Sequence, residues 1–233
     1  MTIFHIYTIF PKIFSSYFNE SILKRSQEKN IIKIKIYNIR DFAEDKHKTT
    51  DDRPYGGGAG MLMKPLPIIK AVEKILSKIK GKKAKIVLFS AKGKQFNQET
   101  AFNWSKKYTD ILMICGRYEG IDERVKKVLK AQEISIGPYV LTDGEIPAMI
   151  LVSSISRLIP GAICWESLKE ESFFSEGLKK EKKGLLEYPH YTRPEVFEFK
   201  GKKYRVPKVL LSGDHKQISN WRLKHGKPPH QKR

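Results

Sequence analysis

Apolar residues along the chain gather in short runs separated by polar, glycine-containing stretches. Ile3–Phe10 is continuous and rich in β-branched and aromatic residues, which predicts a buried strand. Ile31–Ile39 alternates Ile with Lys or Asn, the pattern of a half-exposed strand. Leu66, Ile69, Val72, Ile75, Leu76 and Ile79 recur at helical spacing. The pattern then predicts a strand at Lys85–Phe89, a helix at Gln98–Lys107, a strand at Ile111–Ile114 and a helix at Asp122–Lys130. A strand at Glu133–Ile136 and a helix at Pro147–Leu158 follow. Strands alternating with helices predict an α/β domain with a mainly parallel sheet.

Glycine-containing loops follow three of these strands: Ser90–Gln95, Cys115–Asp122 and Gly137–Glu145. In open α/β sheets ligands sit beyond the carboxyl ends of the strands, so three loops converging there predict a small-molecule site. The pattern changes after this region. Residues 166–190 are polar, carry the run Lys179–Gly184, and read as a flexible linker after a first domain of residues 1–165. Residues 191–233 form a small, mostly helical module with a helix over Asp214–Gly226. Forty-three residues are too few to be trusted to fold alone.

Charge sharpens this picture. The 233 residues carry a formal net charge of +20. The last 43 hold 12 Lys and Arg against 3 Asp and Glu, so charge density is several-fold higher there. A polyanion such as nucleic acid is the expected partner, although part of the lysine content is a solubilising bias of a Lys- and Ile-rich chain. Two cysteines, Cys115 and Cys164, give neither a disulfide framework nor a zinc-binding pattern, so a reducing compartment and no metal are expected. The first Lys falls after the N-terminal apolar run, the wrong order for a secretory leader. The apolar run Ile146–Ile159 is too short to span a bilayer. A cytoplasmic protein away from membranes is expected.

Arg53–Met63 is the most glycine-dense segment, with Gly58 at its centre; it lacks the lysine of a phosphate P-loop and reads equally as a tight connection. Cys115–Asp122 places Arg117 and Glu119 between glycines at a strand end, a crowding that suggests ligand contacts, while Asp122 reads equally as a helix cap. Arg157 ends a helix, where a cation also suits the dipole. His190-Tyr-Thr-Arg193 interleaves aromatic and cation, as nucleic-acid contacts do. In the last helix Lys216 and Arg222 read as a phosphate-facing surface and Trp221 as core.

Taken together, several motifs resemble those of the bacterial tRNA (guanine-N1)-methyltransferases. They are Pro54–Met63, Cys115–Arg124, Ile134–Gly137 with Tyr139–Leu141, Gly144-Glu145 with Pro147–Met149, Arg157 with Ile159–Gly161, and Pro189–Glu195. Val209–His215 and Trp221–Lys224 extend the resemblance nearly to the C-terminus. The resemblance implies a homodimer whose first domain carries a deep trefoil knot that binds S-adenosylmethionine. It also implies methylation of N1 of the guanosine just 3′ of the anticodon in tRNA. Gly116, Ile136, Gly137, Pro138, Tyr139, Val140 and Leu141 would hold the cofactor. Glu171 would be the general base and Arg157 the partner of guanine O6. Glu119, Gly58, His190, Arg193, Lys216 and Arg222 are the candidates for contact with the RNA substrate. The chain departs from the family pattern at Glu171, where the family has Asp, at Asp143, where Gly is usual, and at Pro138, often Asp. It also has a Lys-rich linker insertion and a shortened last helical portion. These departures motivate an alternative reading, a non-catalytic RNA-binding protein on a decayed methyltransferase scaffold.

Overall fold

A computed structural model describes residues 1–79, 83–164, 167–168 and 188–226. Glu171, and most of the stretch read as linker, lie outside the described residues. The chain divides into two compact units, Met1–Cys164 and Trp165–Arg233.

The first unit is built on a five-stranded sheet. Its strands are β1 (Thr2–Thr8), β2 (Ile32–Asn38), β3 (Ala84–Gln95), β4 (Asp110–Ile114) and β5 (Gln132–Ser135). The spatial order is β2-β1-β4-β3-β5 and every pairing is parallel. The helices of seven residues or more described in this unit are α1 (Ser21–Glu28), α2 (Pro65–Leu76), α3 (Gln98–Lys107), α4 (Glu123–Leu129) and α5 (Glu145–Ser156). Helix α2 packs with α4 and with the short turn Ile39–Phe42, while α5 packs with α1 and α3. All seven residues of β1 and all five of β4 are buried. Fully burying an Ile or Phe contributes about 1.5–3 kcal/mol, so these two central strands anchor the unit. Edge strand β2 has Ile32 buried and Lys33 exposed, while Ile34–Asn38 are all half-buried, so the alternation in its sequence is muted in its burial.

Two local features differ from the sequence reading, and both shape the site. Strand β3 continues to Gln95 instead of ending at Phe89. Its pairing with β5 slips, so that both Phe89 and Lys94 lie opposite Ile134 and the residues between are looped out. Bulges re-aim a strand next to functional sites, and Gly93 permits this one, because a Cβ there would lie 2.6 Å from the Ile134 amide nitrogen. Helix α5 starts at Glu145, two residues earlier than its apolar periodicity suggests. Oδ1 of Asp143 accepts hydrogen bonds from the amides of Glu145 and Ile146, both at 3.0 Å, and so caps the helix. The earlier start follows from these hydrogen bonds of Asp143, a signal that a hydrophobic pattern does not register.

The loops after β4 and β5 meet backbone to backbone. The Gly144 amide donates to the Gly116 carbonyl at 3.0 Å. A Cβ on Gly144 would lie 2.6 Å from the Gly116 nitrogen and 2.7 Å from Cα of Cys115. Backbone cannot yield as a flexible side chain can. Gly144→Ala should therefore destabilise the first unit by about 1–3 kcal/mol, the usual cost of overpacking, measured as a lowered urea midpoint.

The second unit contains a hairpin of β6 (Val196–Phe199) and β7 (Lys202–Arg205), the short helix α6 (Lys208–Leu211) and α7 (His215–His225). Asp214 caps α7 by accepting from the amides of Lys216 and Gln217. The hairpin adds strand to a module that the sequence reads as mostly helical. Among the described residues no helix is long and apolar enough to cross a membrane.

Candidate active site

A cavity of about 470 Å³ opens at the carboxyl ends of β3, β4 and β5. The β3 bulge forms one wall with Leu88–Lys92, the loop after β4 a second with Gly116–Ile121, and the loop after β5 a third with Ile134–Ile136 and Tyr139–Gly144. Pro147 of α5 also lines it. Its volume falls within the range of small-molecule sites.

Of the residues that the resemblance assigns to the cofactor, Gly116, Ile136, Tyr139, Val140 and Leu141 line this cavity. Gly137 and Pro138 complete the same turn without lining it. The Ser135 hydroxyl donates to the Gly137 carbonyl at 2.9 Å, and the Tyr139 hydroxyl donates to the Ile136 carbonyl at 3.3 Å. Gly137 is buried against the Tyr139 ring, which a Cβ at that position would strike. Among the described residues, the amides of Tyr139, Val140 and Leu141 make no backbone hydrogen bond. Apolar side chains such as Leu88, Ile136 and Val140 beside open amides at one rim suit a planar nitrogen heterocycle, whose edge needs donors and acceptors while its faces need apolar contact.

Arg117 and Glu119 both reach the cavity, and each has a fixed setting. Glu119 follows a loop pinned to the glycine-dense segment, since its amide donates to the Met61 carbonyl at 3.0 Å. Gly60, rather than Gly58, faces its side chain: a Cβ on Gly60 would lie 2.6 Å from Glu119 Oε1. Gly58 has only Pro54 near it.

Arg117 is held by residues to which the sequence reading gave no role in the site. Its Nε donates to Glu145 Oε2 at 3.1 Å, its guanidinium stands 4.0 Å from Asp143 Oδ2, and its face covers the Phe10 ring at 4.5 Å. Glu145 is fully buried and accepts a second hydrogen bond, at 2.5 Å, from the Thr8 hydroxyl. The Phe10 amide donates to that same hydroxyl at 2.8 Å. Thr8 and Glu145 are 137 positions apart, so no local pattern could have paired them. The signal was Glu145 itself, a carboxylate at the head of an apolar helix. Burial raises its pKa, opposed by the Thr8 hydrogen bond and the Arg117 charge. Asp143 behaves oppositely. Burial pushes its carboxyl up, but the Ile146 amide, the Thr142 hydroxyl and Arg117 together hold it below the usual range. Cys115, beneath the loop, is fully buried, and burial beside two carboxylates pushes its thiol well up, so it is a neutral packing group and no nucleophile. Asp122 caps α4 and grips Arg124, as its position suggests.

Arg157 is the C-cap of α5, and the cavity residues stand at the other end of that helix. Twelve residues of α-helix span about 18 Å, so this chain's own Arg157 does not line this chain's own cavity. In the second unit Trp221 lies against His225 at 4.2 Å, Tyr188 at 6.3 Å and Tyr191 at 6.4 Å. The Arg222 guanidinium covers the Tyr188 ring at 4.9 Å. Arg222 therefore belongs to this aromatic cluster and is half-buried, whereas His190, Arg193 and Lys216 are exposed. Among the described residues no group of His, Cys, Asp and Glu could hold a metal ion.

A parallel α/β sheet with a small-molecule-sized cavity of mixed polar and apolar lining at its carboxyl edge, followed in sequence by a basic module, is the architecture of an α/β enzyme. Comparison with known proteins identifies which one. The family model of tRNA (Guanine-1)-methyltransferase TrmD matches residues 1–233, and the chain belongs to that family. It is 53% identical over 220 residues to the tRNA (guanine-N(1)-)-methyltransferase of Clostridioides difficile, covering 94% of this chain and 90% of that one. The corresponding proteins of Dictyoglomus turgidum and Thermomicrobium roseum are 51% and 48% identical, again over 94% of this chain and over 82% and 76% of theirs.

The buried carboxylate gives a signed pH dependence. Folded Glu145 keeps its proton to higher pH than unfolded Glu, whose pKa is about 4.3. The folded chain thus binds more protons above that pH, and the contribution of Glu145 to stability is lost as pH rises through its raised titration. In Glu145→Gln this slope should vanish. Urea midpoints of variant and wild type, followed from about pH 4 to pH 7, should drift apart in the variant's favour as pH rises.

Proposed function

We propose that the cavity at the β3–β5 edge binds S-adenosylmethionine and that this tRNA (guanine-N1)-methyltransferase modifies the guanosine just 3′ of the anticodon. The observation that carries the reading is the convergence of three family motifs, around Gly116, Tyr139 and Gly144, on one cavity of suitable size. The same reading includes the trefoil knot, formed where the loops after β4 and β5 pass each other at the Gly116–Gly144 contact. S-adenosylmethionine, when bound, supplies the methyl group.

The chain's own residues then have distinct tasks. The amides of Tyr139–Leu141 and the walls from Leu88 and Ile136 hold and orient the cofactor. Guanine N1 carries a proton and becomes nucleophilic only as that proton leaves, so the reaction needs a carboxylate base near N1 and a cation near O6. Glu171 is the base and Arg157 the O6 partner. Glu differs from Asp little in pKa, about 4.3 against 3.9, so geometry decides how well Glu171 serves. A misplacement of about 1 Å can cost on the order of 100-fold. Arg157 reaches a cavity in a homodimer, across from its own. Ile146 and Ile150 of α5, exposed at 42% and 36%, supply apolar surface for such a contact. Glu119 orders the guanine, and the basic second unit, including His190, Arg193 and Lys216, grips the phosphates of the anticodon arm.

Single-turnover methyl transfer to an unmodified tRNA transcript tests the base. Glu171→Gln should lose most of the rate while cofactor and tRNA affinities stay as in wild type. Full rate in that variant would move the base to Glu170. The cofactor site is tested separately. Gly137→Val drives its side chain into the Tyr139 ring and should weaken S-adenosylmethionine binding at least about tenfold by calorimetry, with far-ultraviolet dichroism unchanged. An unaltered affinity would place the cofactor elsewhere.

A further inference from the structure

The β6–β7 hairpin carries a surface to which the reaction assigns no task. Its register pairs Phe197 with Tyr204 and Phe199 with Lys202. Side chains alternate between faces along a strand, so Phe197, Phe199, Tyr204 and Lys202 share one face. The other face takes Val196, Glu198, Lys203 and Arg205. On the first face the Phe197 and Phe199 rings lie 6.3 Å apart with their planes within 10°, and Tyr204 lies 6.3 Å from Phe197 across the hairpin. All three rings are more than half exposed, at 55%, 54% and 54%. Single exposed apolar residues are ordinary, but a contiguous group of rings on one small element marks a contact surface.

Charge identifies the occupant. Residues 196–205 carry Lys200, Lys202, Lys203 and Arg205 against the single acid Glu198. That acid is already matched by Lys203, 3.8 Å away. Lys200 stands 5.5 Å from the Phe199 ring centre. Aromatic faces interleaved with cations form the surface on which unpaired nucleobases stack while the flanking cations follow the backbone. A second copy of this chain, itself strongly basic, would meet the hairpin with like charge. We propose that this face of the hairpin is a stacking platform for unpaired bases of tRNA, separate from the cavity and from the phosphate-gripping residues. The proposal rests on tRNA as the substrate.

Stacking and phosphate contact are separable by salt. The test measures binding of an unmodified tRNA transcript by fluorescence anisotropy at several salt concentrations, for wild type and for Phe197→Val/Phe199→Val and Tyr204→Val. Valine keeps strand preference and removes the ring face. The expected result is an affinity loss of about five-fold to a hundred-fold, the range for removing base–aromatic stacking. The slope of log K against log salt should not change, because no phosphate contact is removed. An unchanged affinity, or a flattened slope, overturns the proposal. So does a change in sedimentation of the RNA-free variants, which would make the face a contact between copies. An arm independent of hairpin stability uses wild-type protein and tRNA containing 4-thiouridine. Photocrosslinks at Phe197, Phe199 or Tyr204 support the platform, and crosslinks confined to other segments overturn it. If wild type fails to bind tRNA at all, the substrate reading falls first and the platform with it.

Discussion

The carboxylate of Glu145 is the fixed point around which the cavity is arranged. It lies fully buried where β1, the loop after β4 and the start of α5 meet, bonded to Thr8 and Arg117. A buried charge is tolerated only when paired and hydrogen-bonded. The two partners are therefore held as firmly as the carboxylate, and through them the end of β1 and the loop that lines the cavity. Asp143 adds a second carboxylate beside Arg117 and caps α5 with its other oxygen. Asp143 thus has a local structural role at the start of α5.

The same junction explains the glycines that the site requires. The loops after β4 and β5 approach so closely at Gly116 and Gly144 that backbone meets backbone. Closeness of this kind keeps the loop amides near one another and leaves the space between them to a ligand. The β3 bulge completes the enclosure by turning Leu88–Lys92 toward the same opening. The sheet's central strands supply the stability, and the irregular positions at its carboxyl edge supply the site.

Arg157 shows why a family resemblance and a single chain give different information. The motif match assigns it to the guanine, yet α5 carries it away from the cavity that its own first turn helps to line. One helix thereby has its first turn at the cavity and Arg157 at its far end, and the dimer proposed above would bring such an Arg157 to a cavity.

Much of this was determined by the sequence alone. Periodicity two and periodicity 3.6 are local properties, so the strands at Thr2–Thr8, Ile32–Asn38 and Asp110–Ile114 and the helix at Gln98–Lys107 were legible from apolar spacing. The family was legible because its motifs are long runs of contiguous residues. Other features were decided only by tertiary structure. The partnership of Thr8 with Glu145 spans 137 positions, and the clamp of Phe10 under Arg117 joins a strand end to a distant loop. The bulge in β3 depends on which residue of β5 stands opposite, and the aromatic face of the β6–β7 hairpin on a cross-strand register. Local pattern reports which face of an element is apolar. Which charged group must lie beneath it, and which backbone may approach it, follow from how distant segments pack together.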